Sequence, residues 1–282
     1  MIRLLACIPC FLLIAACANP SQTEQGSVAR SPSPGDVQAP VAAAEVAFEV
    51  REYTSGKLRA GVPIRIENSW GDIRIRKSDR TGVVEITAAI QRIGPDWPGQ
   101  PRIQMGDSGG KFSASVEFPD GWVRDDARNA RVDLMVMVPA GHPMDLVTLD
   151  GIIEAKKTAG PVFARSGSGA ITVINNGSIR AVSESGRVQV RPMFPRWGEV
   201  ELSSSSGKVV AFLPHSESFE IRISGVDKVD SDWDLVRAPS GFHLLTGENG
   251  TAFDSVTIDS AAAVELYRAA VEPDKRIGIG DS

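Results

Sequence analysis

The stretch PVFARSGSGAITVINNGSIRAVSESGRVQV, residues 161–190, contains the same short pattern twice. In each copy, apolar or small residues stand seven and five positions before a glycine and again two and four positions after it. The two glycines are Gly169 and Gly186. Because side chains alternate between the two faces of a strand, this spacing predicts two strands with one buried face each, joined at the glycine.

The pattern extends along the chain in both directions. Three further glycines, Gly71, Gly151 and Gly207, carry the same apolar columns, and four of the five follow one another at intervals of 18, 17 and 21 residues. A glycine at one fixed position predicts a structural corner, where φ is positive or a Cβ atom would clash. Serine or threonine stands three residues before most of these glycines, where it can bond local backbone or stack on its counterpart.

Repeated units that cannot bury their apolar face alone can bury it by stacking. The sequence therefore favours an all-β fold with a single β-solenoid domain. An antiparallel sandwich with regular hairpins would also show alternation and turn glycines, but it does not require the same columns in consecutive units. Residues 91–130 interrupt the repeat and predict a hairpin or loop excursion. The candidate unit 219–225 is one residue short of the pattern, which predicts a terminal or bulged unit.

The N-terminus has the features of an export signal. Arg3 precedes a 13-residue apolar run, which is short for a membrane span of about 20 residues and suits a signal peptide. The run ends in Ile-Ala-Ala-Cys17, which resembles the bacterial lipoprotein box. That resemblance implies cleavage before Cys17 and lipidation of its thiol, and Ala18 after the cysteine implies the outer membrane rather than the inner one. The alternative is an ordinary signal peptide in which Cys17 is incidental.

Composition divides the chain into four segments. Residues 1–16 are the predicted lipoprotein signal peptide. Residues 17–45 hold the lipidated cysteine and a disordered tether, because they are rich in Ala, Pro, Ser and Gln and contain no aromatic residue. Residues 46–270 carry the strand pattern, and residues 271–282 form a C-terminal tail.

Charge and cysteine content exclude several classes of protein. The formal net charge of −5 predicts no nucleic-acid partner. All three cysteines, Cys7, Cys10 and Cys17, lie near the N-terminus, so the body of the protein has no disulfide framework. The sequence contains no phosphate loop, zinc spacing or dinucleotide fingerprint, and we expect no cofactor.

Three motifs resemble those of a known family. Residues 162–173 fit the pattern V-x-A-x-S-x-S-G-x-I-x-V, residues 136–141 fit V-x-V-P-x-G, and residues 66–75 fit I-x-N-x-x-G-D-I-x-I. These motifs resemble the bacterial domain family named "putative adhesin", over about residues 46–260. The resemblance implies a right-handed β-helix-like fold in the cell envelope and implies no reaction and no catalytic residues.

The segment MGDSGG, residues 105–110, resembles the sequence of the nucleophile loop in chymotrypsin-like proteases. Such a protease places its histidine before the serine, whereas His142, His215 and His243 all follow Ser108. We therefore expect a glycine-rich turn here and no catalytic residues. Turn positions near strand ends explain His142 and His215 better than metal ligation does.

Two acidic clusters are weaker candidates. Asp230, Asp232 and Asp234 have the D-x-D-x-D spacing of a calcium loop, but Leu235 and Gly241 replace the required glycine and glutamate. An EF-hand is excluded, and a looser calcium site remains a weak alternative to a solvated turn. Asp120 and Asp125 form the second cluster.

The sequence favours a lipid-anchored envelope protein that acts as a binding or scaffold module without catalysis. The alternative is a polysaccharide-active enzyme on the same scaffold, which would require Trp97, Trp122 and Trp233 to converge with the acidic clusters. The outward columns of the repeat predict the binding surface. They consist of Arg65, Arg165, Arg180 and Glu201 on the first strand of each unit, and Arg74, Thr172, Gln189 and Val210 on the second. Arg165 and Arg180 are the proposed contacts for another envelope protein or an anionic glycan.

Overall fold

The computed structural model describes residues 48–93, 99–121, 129–193, 198–214, 219–245 and 254–269. The described residues form 21 strands and no helix, and all of them belong to one compact unit, Ala44–Ser282. The prediction of an all-β fold is confirmed.

The strands form two large mixed sheets. Sheet 1 consists, in spatial order, of β1 (Phe48–Lys57), β4 (Val83–Ile93), β7 (Asn129–Pro139), β3 (Ile73–Ser78), β9 (Ile153–Lys156), β11 (Ile171–Asn175), β13 (Val188–Pro192), β15 (Val209–Pro214), β21 (Val264–Ala269) and β17 (Val229–Ser231). Sheet 2 consists of β18 (Val236–Arg237), β19 (His243–Leu245), β16 (Phe219–Ser224), β20 (Asp254–Ser260), β14 (Glu199–Ser204), β12 (Ile179–Ser183), β10 (Val162–Ser166), β8 (Met144–Asp150), β2 (Ile64–Trp70), β6 (Lys111–Glu117) and β5 (Arg102–Ser108). Neither order of described strands closes on itself.

Between β8 and β15 the chain alternates between the two sheets. The even-numbered strands lie in sheet 2 and the odd-numbered strands in sheet 1. Successive strands within a sheet pair in parallel, so Val162 pairs with Ile179 in sheet 2 and Ile171 pairs with Val188 in sheet 1. The apolar columns predicted from the glycine spacing are therefore the paired columns of the sheets.

The core consists of the residues in these columns. Along β10 and β11 every second residue is buried, and Ile171 and Val173 have no exposed surface. Burying one such aliphatic side chain stabilises a fold by roughly 1.5–3 kcal/mol. Each unit adds only a few of these side chains, so stability depends on many units stacked together.

At both ends of the stack, spatial order departs from chain order. The unit β6–β7 lies outside β2–β3, which therefore sits between β6–β7 and β8–β9. At the other end, β20–β21 lies between β14–β15 and β16–β17. Residues 219–225, predicted to form a terminal or bulged unit, lie near the end of sheet 2, where β16 pairs with β20 and not with β14.

The interval 91–130 contains the expected hairpin. β5 and β6 are antiparallel, and Gly109 and Gly110 form the two-residue turn between them with φ of 60° and 79°. Positive φ at both positions suits a type I′ hairpin turn. The hairpin is more than an excursion, however, because β6 pairs in parallel with β2 and extends sheet 2.

Candidate functional site

The outer face of sheet 2 carries a continuous row of side chains across five neighbouring strands. In-register pairing aligns them side by side. From β2 to β14 the row consists of Arg65, Asp145, Phe163, Arg180 and Glu201. Because side chains alternate along each strand, these residues face away from the core that their neighbours fill.

Ion pairs hold the charged members of this row in place. Arg65 pairs with both Asp145 and Glu67. Nε of Arg180 lies 3.0 Å from Oε2 of Glu201, and these side chains are 61% and 40% exposed. Exposed pairs of this kind contribute about 0–1 kcal/mol to stability, so their main effect is to orient the side chains on the face.

Phe163 lies at the centre of the row, close to two guanidinium groups. The Cζ atoms of Arg165 and Arg180 are 5.1 Å and 5.3 Å from the centroid of its ring. Both distances allow cation–π attraction. The two arginines proposed as contacts thus lie close to the same aromatic ring, which the repeat pattern did not single out.

A groove of about 350 Å³ opens beside this row. Pro63, Pro143 and Pro161 line it, and each stands directly before a strand of sheet 2. Proline fixes φ, so this wall of the groove is rigid. Phe163 also lines the groove and adds an aromatic surface.

The charged lining of the groove is mostly acidic. Asp145, Glu199 and Glu201 contribute carboxylates, whereas Arg180 contributes the one guanidinium among the lining residues of the described chain. Glu201 and Arg180 neutralise each other, and Asp145 is paired with Arg65, which leaves Glu199 as the lining carboxylate that has no ion pair among the described residues. The groove therefore favours a cationic group on its ligand.

The other predicted outward columns lie elsewhere. Arg74, Thr172 and Gln189 are in sheet 1, so the predicted surface is divided between two sheets. Arg74 pairs with the buried carboxylate of Asp72 at 2.9 Å. The expectation that Val210 is exposed is wrong, since its side chain is fully buried. Two sequence signals could have revealed these residues. Phe163 stands at the first outward position of its unit, and Pro63, Pro143 and Pro161 each stand two residues before that position in their own units.

The repeated glycines face the backbone of the preceding unit. A Cβ atom on Gly186 would lie less than 3.0 Å from the carbonyl of Gly169, and one on Gly169 would meet the carbonyl of Gly151 in the same way. Gly151 and Gly207 have equivalent contacts with Gly71 and Gly186. Of the five glycines, Gly71 has positive φ, at 127°. At the other four, lack of space for Cβ explains the glycine, and positive φ does not.

A column of buried hydroxyl groups accompanies these glycines. Oγ of Ser183 accepts a hydrogen bond from the amide of Gly186 at 2.8 Å and donates one to the carbonyl of Gly169 at 3.2 Å. Ser166 and Ser204 make the same two bonds in their own units. Each hydroxyl thus provides a hydrogen-bond partner for the glycine amide of its own corner and connects that corner to the preceding unit, as the serine pattern predicted.

Ser108 ends β5, which is an edge strand of sheet 2. His243 lies in β19, nine strand positions from β5 in sheet 2, which corresponds to about 43 Å at 4.8 Å per strand. Nδ1 of His142 lies 2.8 Å from the carbonyl oxygen of Val62, at the turn before β8. His215 is outside the described residues.

The weak calcium candidates do not converge. Within the described ranges, no group of three or more His, Cys, Asp or Glu residues is close enough to hold a metal ion. Oδ2 of Asp232 accepts a hydrogen bond from the amide of Arg268 at 2.7 Å. Asp230 pairs in register with Glu265 on β21, and Asp234 is exposed.

The enzyme alternative requires three tryptophans to lie close to the acidic clusters, and of these three the structure describes Trp233. Trp233 packs edge-on against Phe219, with ring centroids 5.9 Å apart. Asp120 is exposed beyond β6. Trp97, Trp122 and Asp125 lie outside the described residues.

The predicted lipid anchor also lies outside them, since Cys17 precedes residue 48. Among the described residues, no helix has the length and apolar character to cross a bilayer.

The outer face of sheet 1 carries a second charged cluster. Glu154 on β9 pairs with Arg76 on β3 and, at 2.9 Å, with Lys156. Burial raises the pKa of Glu154, but the hydrogen bonds and positive charges of Lys156 and Arg76 outweigh it, so the pKa lies below its usual value.

Comparisons with known proteins give structural similarity alone. No protein-family model matches the chain. No curated protein matches it either. A structure from Clostridium sporogenes, described as a "putative cell adhesion protein", has a TM-score of 0.48 and 11% identity over 78% of this chain and 100% of its own. A "putative adhesin" from Bacteroides fragilis has a TM-score of 0.26 and 12% identity over 77% of this chain and 97% of its own. At these TM-scores, neither similarity assigns a function to this chain.

Proposed function

We propose that this protein is a lipid-anchored, non-catalytic binding module of the bacterial cell envelope, built on a β-solenoid scaffold. Its contact surface is the groove on the outer face of sheet 2, centred on Phe163. The ligand is another envelope protein, which inserts a cationic side chain between the groove's carboxylates and packs apolar atoms on Phe163 and the prolines.

The main observation in support of this proposal is the structure of the groove. It combines a fixed proline wall, a half-buried aromatic ring and charged groups held by ion pairs. A surface already ordered in the free protein loses little entropy on binding. Aromatic residues surrounded by polar groups are also typical of protein contact surfaces.

The charges favour a protein ligand over an anionic glycan. Of the groove's carboxylates, Asp145 and Glu201 are paired with Arg65 and Arg180, so Glu199 would contribute most of the repulsion of carboxylate or sulfate groups. A protein segment can place a lysine or arginine among these carboxylates. The expected contact is therefore sensitive to salt.

The solenoid and the anchor complete the proposal. In-register parallel pairing between β8 and β15 supports stacked coils. The apolar run ending in Cys17 supports lipidation. A tether of 28 residues has a mean reach of about 30 Å, which would place the groove within reach of neighbouring envelope proteins, with the outer membrane as the expected site.

The test is photo-crosslinking in cells that produce the full-length protein. A benzophenone amino acid replaces Phe163 in one variant and Thr172 in another, since Thr172 lies in the same unit but in sheet 1. We expect position 163 to capture one discrete envelope protein and position 172 to capture none. Adding Glu199→Lys should strongly reduce capture at 163 because it reverses a groove charge.

Equal capture at both positions would contradict the proposed surface. Capture at 163 of material that a glycosidase digests would contradict the proposed class of ligand. Failure of position 163 to capture anything would contradict the proposal as a whole.

A further inference from the structure

The chain that follows β21 carries the kinds of side chain that the Phe163 groove favours. Residues 270–282 lie outside the described residues, and their sequence contains Lys275-Arg276 followed by Ile277-Gly278-Ile279. Lysine and arginine complement carboxylates, and isoleucine can bury apolar surface against a ring or a proline. Residues 275–279 are therefore a candidate ligand for the groove within the same chain.

Glu199 is the groove carboxylate most available to this segment. It lines the groove at the start of β14 and is exposed. Among the described residues it has no ion pair, whereas the other two lining carboxylates are paired with arginines. An incoming lysine therefore meets a carboxylate that does not first have to lose a partner.

The end of β21 lies at the same end of the strands as the groove. β21 is parallel to β15, β15 to β13, and β13 to β11. The strands of sheet 2 begin where these strands end, since residues 176–178 alone connect β11 to β12. Pro161, Ser178 and Glu199 line the groove and stand at these beginnings. The chain thus leaves β21 on the side where the groove lies.

The strand register limits the distance that the chain has to cross. Asn175 and Ile179 are four residues apart in sequence, which corresponds to at most about 14 Å. Their pairing partners on the next strands are Pro192 and Val200, which are therefore separated by a similar distance. β21 is two strand positions from β13, which adds about 10 Å. The end of β21 consequently lies within about 24 Å of the start of β14.

The chain is long enough to cover this distance, and its residues come in the right order. From Arg268 to Lys275 it advances seven residues and can span about 25 Å, which brings Lys275 to Glu199. Phe163 is on β10, two strand positions beyond β14, or about 10 Å further. The four residues from Lys275 to Ile279 can span about 14 Å. The cations thus reach the carboxylate, and the isoleucines reach the ring.

We propose that residues 275–279 of the same chain occupy the Phe163 groove while no partner is bound, and that the partner displaces them. Lys275 pairs with Glu199, and the isoleucines pack on Phe163 and the proline wall. This inference rests on the groove of the proposed function and adds its regulation. Attachment to the stack gives the segment a high effective concentration. The apparent affinity for the partner falls with the fraction of molecules in which the groove is open.

The first test uses the purified full-length protein with no partner present. A carbodiimide activates carboxylates and joins them to nearby lysine amines as amides, while one carboxylate oxygen leaves in the urea by-product. We expect mass spectrometry of the digest to find Lys275 joined to Glu199. Glu199→Gln should remove this product, and Asp281→Asn, outside residues 275–279, should leave it unchanged. An equal mixture of ¹⁴N- and ¹⁵N-labelled protein should give joined peptides of a single isotope, because both peptides come from one chain.

The second test measures regulation by photo-crosslinking in cells with benzophenone at position 163. Lys275→Glu combined with Arg276→Glu should raise capture of the envelope partner at least threefold, because it releases the groove. Asp281→Asn should leave capture unchanged. The unfolding midpoint of each variant should equal that of the wild type, since these residues follow β21.

Three results would overturn the inference. The first is the absence of the product that joins Lys275 to Glu199. The second is joined peptides of mixed isotope, which would assign the contact to a second copy of the chain. The third is detectable capture at position 163 that the charge reversal leaves unchanged.

The two tests also separate this inference from the proposed function. If the amide product forms but position 163 captures no protein in any variant, the contact with residues 275–279 stands and the proposed partner is wrong. If the product is absent and capture is the same in all variants, the proposed function stands and this inference is wrong.

Discussion

Glycine and serine at the repeated corner work as one unit of structure. The glycine allows the backbone of one unit to approach the carbonyl of the neighbouring unit, and the serine hydroxyl hydrogen-bonds to the backbone of both units at that point. The same residue type serves a different purpose at Gly109, where positive φ and not close approach requires it. At the level of single residues, the distinction predicts which substitutions the fold tolerates.

Gly186→Ala should be strongly destabilising. Its Cβ atom would overlap the Gly169 carbonyl, and overpacking typically costs about 1–3 kcal/mol. Gly106→Ala is the matched control, because a Cβ atom there meets nothing within 4 Å. Denaturant unfolding should show a loss of at least about 2 kcal/mol for the first variant and less than about 1 kcal/mol for the second. Equal midpoints would contradict the packing at this corner.

Ser183→Ala should destabilise more than Ser185→Ala. Ser183 is buried, and its removal leaves the Gly186 amide and the Gly169 carbonyl without their side-chain partner. The expected cost is roughly 1–3 kcal/mol. Ser185 is exposed two residues later, so its loss should stay within about 0.5 kcal/mol. Denaturant unfolding measures both, and the reverse order would refute the role of the serine column.

Strands of this protein are stabilised by their neighbours in the sheet and by charges that connect them. Glu154 joins β9 to β3 through Arg76. β20 and β21 show the same dependence on a larger scale, because each pairs on both sides with strands that precede it in the chain.

Acid should remove part of the stability that Glu154 provides. Its pKa is lowered in the folded state from a usual 4.5, so its contribution is present above about pH 4.5 and is lost as pH falls through the lower folded value. In urea unfolding between pH 3 and pH 7, Glu154→Gln should be less stable than the wild type at neutral pH. The difference should shrink towards pH 3 as the wild-type carboxyl is protonated. A difference that does not change with pH would contradict this assignment.

Deletion of residues 249–282 should unfold the C-terminal half of the stack. It removes β20 and β21 and leaves β14, β15, β16 and β17 without their shared partners. Deletion of residues 272–282 is the control, since it retains both strands. Circular dichroism and limited proteolysis should show a protease-sensitive product for the longer deletion alone. A folded, resistant product would contradict the observed strand order.

At the scale of the whole molecule, the described residues form two sheets whose ends are completed by strands from distant parts of the chain. β1 and β4 continue sheet 1 in antiparallel orientation beyond β7, and β19 does so in sheet 2 beyond β16. Antiparallel strands at the ends interrupt the repeat. The Phe163 groove, in contrast, lies on the repeated units.

The whole molecule is expected to be attached to the membrane through Cys17. Metabolic labelling with a fatty acid should mark the wild-type protein, and Cys17→Ala should abolish the label and release the protein from the membrane fraction. Cys10→Ala, within the predicted signal peptide, should leave the label unchanged. Labelling that persists in Cys17→Ala would refute the lipoprotein prediction.

Between residues 144 and 211, the sequence by itself determined the strands, their register and, except at Val210, their buried faces. Period-2 alternation and the fixed glycine position are local features, and consecutive units pair with each other, so local pattern suffices there. The tertiary structure alone decided that β6 extends sheet 2, that β20 lies between β14 and β16, and that Val210 is buried. It also brought Phe163 beside Arg165 and Arg180, and His243 beside Trp233. These arrangements depend on pairing between segments far apart in the chain and on what covers each outer face, and neither is encoded in the spacing of a single repeat.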